Sequence, residues 1–437
     1  MKSKRTQRLA AAFLMLCCGL TVGAQTFEEW FDDRTLRLDY VFAGDASRQE
    51  LYVDQLSQLP RWFGRRTRLA ELPLAGNGQI TVRAHRSQQV IYRHAFSTLF
   101  QEWLATDEAK HVRRSFENVF LVPFPRDTVD VTVELFDFHS RVQASMTHTV
   151  SPTDILISHK GKGTKTPHAG MTNAARGDGQ RRTRGFQTPY VTLQQAADTT
   201  RCIHIAYVPE GYTEAQMFSF LDHCRIAMEA LFRHEPFKAM RARFNIIALL
   251  APSVDSGVSE PGNGLWLNTA LDSHFDTFYS QRYLTTLHLK RLHDLLAGTP
   301  YEHIIILANT SHYGGGGIYN SYNLSYTGGE KFESVVVHEF GHSFGGLADE
   351  YPYGDDDPMY FSDTEPWEPN LTTLHDFSSK WQNLIDDGRA SLIEGGGYLS
   401  KGVWRGKEDC RMRTNEEPDF CPVCQQALRR LINFYTE

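Results

Sequence analysis

The chain carries little excess charge of either sign. Its 45 Lys and Arg stand against 52 Asp and Glu, for a net charge of −7 and a pI near 6.2. A general nucleic-acid binder needs a basic face, so that class is set aside. Beyond residue 24 no stretch reaches the ~18 consecutive apolar residues of a membrane-spanning helix, and no stable membrane span is expected. Cysteine is scarce, with seven in 437 residues and two of them within the first 24. The other five, Cys202, Cys224, Cys410, Cys421 and Cys424, are an odd number, so at least one stays free or pairs between chains. Cys421-Pro422-Val423-Cys424 resembles half a zinc knuckle, but Cys410 supplies only a third ligand where a closed site needs four. The four glycines Gly314 to Gly317 are not followed by Gly-Lys-Ser/Thr, which excludes a phosphate loop.

What is present divides the chain into four parts. Residues 1–24 read as a secretory signal: Lys2, Lys4, Arg5 and Arg8 precede the apolar run Leu9 to Val22, and Val22-Gly23-Ala24 offers small residues for cleavage. Export to the periplasm, the cell surface or the medium is expected, and in that setting a disulfide from Cys410 to Cys421 or Cys424 is favoured, with Cys202 and Cys224 as a second candidate pair. Residues 25–157 are strand-like, with Leu36, Leu38, Tyr40 and Phe42, and again Val129, Val131, Val133 and Leu135, alternating with polar residues. Asn77-Gly78 between Leu72, Leu74 and Ile80, Val82 signals a hairpin, Phe116 to Phe124 a strand, and Gln89 to Thr106 a helix. A β-sandwich-like module follows from this pattern. Residues 158–187 are basic and poor in apolar groups, which suits a linker or exposed loop; Arg181-Arg182 is a candidate activation cleavage site within it.

Residues 188–437 adopt an α/β rhythm. Strands are expected at Cys202 to Val208, Phe244 to Ala251 and His303 to Ala308. Helices are expected from Thr213 to about Arg233, from Ser280 to Leu296 and from Ala427 to Tyr435. The glycine run is bare of side chains, and its Gly316 and Gly317 are candidates for a cleft rim on which an extended substrate pairs as an added strand; a flexible connector is the alternative.

The chemistry concentrates at His338-Glu339-Phe340-Gly341-His342. On a helix His338 and His342 lie one turn apart on one face, so two imidazoles share one metal, and Glu339 sits beside them. A catalytic zinc takes three protein ligands and keeps a fourth position for water, whose pKa falls towards ~7 so that a neighbouring carboxylate can take its proton. The run Val335-Val336-Val337 suits a helix buried in a core, and Gly345-Gly346 can end it and return the chain towards the metal. In the metzincin pattern H-E-x-x-H-x-x-G-x-x-H the third ligand stands six residues after the second histidine. That position is Ala348, which has no donor atom. Asp349 is the first choice for the third ligand and Glu350 the next, since the second glycine can absorb a shift of one residue.

The block HEFGHSFGGLADEY, with CRMRTNEEPDFCPVC near the C-terminus, resembles the IgA-peptidase family of secreted bacterial zinc metallopeptidases. The resemblance implies an α+β protein, an N-terminal β-sandwich-like domain followed by a metzincin-like α/β zinc-peptidase domain. Zinc would be held by His338, His342 and Asp349, with Glu339 as general base and Met412 in the methionine turn beneath the metal. Tyr351 is a candidate oxyanion donor. The acidic run Asp355-Asp356-Asp357 is a candidate for calcium, yet it lacks EF-hand spacing and reads better as a solvated loop. The expected activity is cleavage of peptide bonds in protein or peptide substrates, host proteins or glycoproteins among the candidates. The alternatives are a surface binding or adhesion protein on a peptidase fold and a zinc hydrolase of a non-protein substrate.

Overall fold

The computed structural model describes residues 26–161, 187–353 and 359–437. The signal segment, the basic stretch with Arg181-Arg182 and the acidic run Asp355–Asp357, on which the calcium expectation rests, lie outside the described residues.

The alternating apolar residues near the N-terminus do become strands. In chain order this half contains α1 (Phe27–Trp30), β1 (Phe31–Gly44), β2 (Gln49–Leu59), β3 (Gly78–Ala84), β4 (Val90–Phe96), α2 (Leu99–Leu104), β5 (Arg114–Pro125), β6 (Val129–Phe136), β7 (Val142–Val150) and β8 (Ser158–His159). They form two four-stranded sheets, ordered β5-β1-β2-β8 and β4-β3-β6-β7. Rings from the facing sheets meet between them: Phe96 of β4 stands 4.3 Å from Phe120 of β5 and 6.3 Å from Phe42 of β1. Burial of this aromatic layer is what holds a sandwich together.

The Asn77-Gly78 pair is not a hairpin turn. Phe136 N donates to Asn77 O and Trp367 Nε1 to Asn77 Oδ1, both at 2.8 Å, and a Cβ on Gly78 would meet the Phe96 ring at 2.4 Å. The pair marks a close approach instead. The helix expected over Gln89 to Thr106 is split. Ile91, Tyr92 and Phe96 are buried in β4, and Thr98 starts α2 by accepting a hydrogen bond from Gln101 N.

The second half contains β9 (Tyr190–Gln194), β10 (Ile203–Glu210), α3 (Met217–Leu231), β11 (Phe244–Leu249), α4 (Leu289–Leu296), β12 (His303–Ala308), β13 (Gly315–Ile318), β14 (Tyr322–Tyr326) and α5 (Phe332–Ser343). After these come β15 (Leu371–Thr372), α6 (Gln382–Asp386), β16 (Ile393–Gly396), β17 (Leu399–Arg405) and α7 (Pro422–Thr436). A six-stranded sheet runs β13-β14-β12-β10-β11-β9, with β14, β12, β10 and β11 parallel and the two edges antiparallel. Its parallel strands are covered on both faces, which is why β10, β11 and β12 are buried at every residue. Helix α3 buries Phe220, Cys224, Ala227, Met228 and Leu231 along one stripe, and Thr213 with Gln216 forms a capping box just before it. Of the helix expected from Ser280 only Leu289–Leu296 forms, because Thr285 exchanges backbone hydrogen bonds with His274 and holds the preceding chain extended.

Arg37 and Asp39, the polar residues that alternate with the apolar ones in β1, are buried as well. Helix α4 covers them. Arg37 pairs with Asp39 at 2.6 Å and with Asp294 of α4 at 2.6 Å, and donates to Lys290 O. The sandwich is thus clamped to the α/β half through a buried guanidinium. Replacing Arg37 by Ala leaves Asp39 buried without its partner, and should cost about 3–5 kcal/mol of stability in urea unfolding; a change below about 1 kcal/mol would mean that the clamp is dispensable.

Candidate metal centre

Helix α5 is seated by its apolar side. Phe332, Val336, Val337 and Phe340 are buried in the core below the sheet, and Phe340 stacks on Phe344 at 5.1 Å. The opposite side faces a cleft of about 1370 Å³, lined by both halves of the molecule. On that side His338 and His342 stand one turn apart, their rings 4.7 Å from centre to centre.

Each imidazole is oriented by a backbone carbonyl. His338 Nδ1 lies 2.9 Å from Arg411 O, and His342 Nδ1 lies 2.6 Å from Leu347 O. A carbonyl only accepts, so Nδ1 carries a hydrogen in both rings and each Nε2 is turned towards the cleft. The chain returns to these atoms because α5 ends at two glycines. Gly346 has φ +58° and its N–H donates to His342 O, while Leu347 N donates to Gly341 O. Asp349 follows, buried at 8% exposure, with Oδ1 3.0 Å from His338 Nε2 and 3.2 Å from His342 Nε2. The two Nε2 atoms are themselves 3.0 Å apart.

Three acceptor atoms therefore converge, and Asp349 Oδ1 receives no hydrogen bond from the described residues. Such a triangle is repulsive unless a positive charge lies against it, a metal ion or, without one, a proton on an imidazole. Its edges approach the roughly 3.3 Å separating ligand atoms around a tetrahedral zinc, so the donor set fits that ion. The electrostatics agree in direction. Burial lowers the His342 pKa, but the Asp349 carboxylate outweighs it and lifts the imidazole to about 9. Burial alone would raise Asp349, and the two histidines instead hold it well below the usual carboxylate range. Two imidazole nitrogens with one carboxylate oxygen suit zinc and not calcium, which takes six to eight oxygens.

Glu339 projects into the same cleft. Burial raises its pKa, His338 and His342 oppose the shift, and Asp349 reinforces it. Strand β13 lies directly against α5, which explains its composition. A Cβ on Gly315 would stand 2.7 Å from Glu339 Oε1, and one on Gly317 would stand 2.3 Å from Glu339 O and 2.9 Å from His342 Cβ. Gly316 meets Tyr283 in the same way, at 2.9 Å. The glycine run is a packed edge strand and not a flexible connector.

Met412 is fully buried under α5, where a Cβ on Gly341 would meet its sulfur at 2.6 Å. It lies in a tight turn closed by Arg413 N to Cys410 O, at 2.8 Å. The same turn supplies the carbonyl that orients His338. Tyr351 is half-buried beside Asp349, and burial together with that carboxylate raises its pKa.

Glu350 does not join the histidines. It projects to the other side of the loop, where Oε1 accepts from Asn370 Nδ2 at 2.9 Å and lies 3.2 Å from Cys424 Sγ. This corrects Glu350 as an alternative third ligand. The five cysteines among the described residues are free and buried, so neither expected disulfide is present there. The sulfurs of Cys410 and Cys424 are 3.7 Å apart, well beyond the ~2.05 Å of a disulfide.

Two features of the site carried no sequence signal beyond ordinary residue types. Tyr398 O–H donates to Asp349 Oδ2 at 2.5 Å, from a turn that follows Gly395-Gly396-Gly397. Glu102, from α2 of the sandwich half, enters the cleft wall hydrogen-bonded to Tyr283 O–H, and burial pushes its pKa up to about 7.

The family model described as IgA Peptidase M64 matches residues 191–393, and the model described as Peptidase M64 N-terminus matches residues 26–147. Together they take in more than half of the chain. Comparison with the curated proteins finds no match.

Gly317→Ala forces a carbon into the backbone of α5 beside His342. Bound metal should weaken by at least about tenfold, as when groups that orient ligands are removed; metal titration with a competing chelator reads this, and an unchanged affinity would mean that β13 yields freely.

Proposed function

The chain belongs to the IgA peptidase M64 family and is a metallopeptidase acting on protein or peptide, and within that class we propose an exported, zinc-dependent endopeptidase in which Glu339 is the general base. The observation that carries this reading is the convergence of His338 Nε2, His342 Nε2 and Asp349 Oδ1 beside the half-buried Glu339 in the wall of an open cleft. Zinc in that position would polarise a scissile carbonyl and lower the pKa of a water molecule.

The remaining work belongs to side chains of this protein. Glu339, its pKa raised by burial, takes the proton from the attacking water and returns it to the leaving amine. Tyr398 and the carbonyls of Arg411 and Leu347 hold Asp349 and the two imidazoles in orientation. Tyr351 stands beside the carboxylate ligand as a donor for the developing oxyanion. Strand β13 forms the sheet edge, where Tyr283 bridges Gly315, and beyond that bridge the main chain towards Gly317 is the place for an extended segment of substrate. The cleft opens between both halves, which suits entry of a polypeptide strand internally rather than by its end. The charged leader before an apolar run supports export.

Glu339→Gln should keep its metal and lower kcat by about 10²–10⁴-fold on a denatured protein mixture, with cut sites mapped by mass spectrometry; turnover equal to the wild type would remove Glu339 from the role. Asp349→Ala should lose metal from the histidine site, seen by elemental analysis after dialysis. Retention of that metal would show that Asp349 is not a ligand. Cleavage products absent from the metal-loaded wild type would favour binding without catalysis or a non-protein substrate.

A further inference from the structure

A second group of metal-binding side chains lies behind the candidate active site and takes no part in it. Cys410, Cys421, Cys424 and Glu350 bring their ligand atoms within 4.8 Å of one another, and all four are buried. We propose that they hold a second, structural zinc ion as a closed Cys3Glu site. This ion would bind the loop carrying Asp349, the turn carrying Met412 and the start of α7 into one unit.

The geometry is that of a tetrahedron's edges. Cys410 Sγ and Cys421 Sγ each stand 3.7 Å from Cys424 Sγ. Zinc with Zn–S bonds of ~2.3 Å sets its sulfurs roughly 3.8 Å apart. Glu350 Oε1 approaches Cys424 Sγ at 3.2 Å and supplies the fourth ligand that the cysteines alone lack. Its other oxygen, Oε2, is buried and receives no hydrogen bond from the described residues. A carboxylate at 0% exposure with an unsatisfied oxygen is costly unless a cation or its own proton meets it.

Competing accounts of the cluster leave something unexplained. Three thiols packed as small apolar groups do not call for a carboxylate among them. A disulfide between two of them would strand the third thiol against Glu350. Thiolate ligands are also supported where they stand. Cys421 N–H donates to Cys410 Sγ at 3.2 Å, and Cys421 is the N-cap of α7 with Cys424 in its first turn, at the positive end of its dipole. Four protein ligands in a buried site leave no open position, the mark of a structural ion.

The coupling to the active site is short. Glu350 adjoins Asp349 in the chain and donates its N–H to Met412 O at 2.8 Å, and Arg411, which orients His338, lies next to Cys410. The site nevertheless stands independently of the peptidase reading, since none of its four ligands touches the cleft.

X-ray absorption at the zinc edge decides the matter on the full chain. The variant His338→Ala/His342→Ala, stripped of zinc at the cleft, should still hold about one zinc per chain, with sulfur scatterers near 2.3 Å. Cys421→Ser/Cys424→Ser should lose that sulfur-bound ion and unfold at lower temperature. Should the cysteine variant not fold, cobalt exchanged into the wild type gives the answer without substitution: an intense thiolate-to-cobalt charge-transfer band supports the site. A wild-type zinc spectrum with nitrogen and oxygen scatterers only would overturn it. So would a folded protein whose intact mass shows a bond between any two of Cys410, Cys421 and Cys424.

Discussion

Everything around the cleft depends on mutual repulsion among three acceptor atoms. His338 Nε2, His342 Nε2 and Asp349 Oδ1 are held about 3 Å apart, an arrangement that only a positive charge relieves. The fold holds them there by fixing what lies on their far sides: two backbone carbonyls for the imidazoles and the Tyr398 hydroxyl for the carboxylate. Charge that is unfavourable in isolation is thereby organised to receive a cation. The same field sets the Glu339 carboxyl, which is buried enough to be a base of raised pKa yet remains on the cleft wall.

Steric constraint follows from this electrostatic one. Bringing an edge strand over the helix that carries both histidines requires Gly315 and Gly317, since any Cβ there would strike Glu339 or His342. Beneath the helix, Gly341 admits Met412 for the same reason. The catalytic helix is therefore pinched between a glycine strand and a methionine turn, each of which also touches a residue that orients or flanks the metal ligands. Rigid support of this kind is what a constellation of ligands needs to keep its geometry.

The sandwich half is more than an appendage. Its Arg37 is locked against α4, and its α2 places Glu102 in the cleft wall against Tyr283. The alternation in β1 was legible as a strand, but its second buried face was not, because the covering helix lies more than 200 residues later in the chain. Likewise the Asn77-Gly78 pair has the composition of a turn, and only contacts with Phe96 and the distant Trp367 make it a point of close approach. The segment before α4 has helical periodicity that cross-bonding with His274 overrides.

The helix period alone placed His338 and His342 on one face with Glu339 beside them, and the valine run with the two glycines marked where that helix is buried and where it ends. A strand-rich first half and an α/β second half were equally readable from the two hydrophobic periods, since these are local properties of a chain. Spacing ranked Asp349 ahead of Glu350 but left both open, since they are neighbours with the same chemistry. Tertiary packing decided it, by turning one towards the imidazoles and the other towards Cys424, 74 residues away. That choice depends on contacts between remote segments, and no local pattern encodes it.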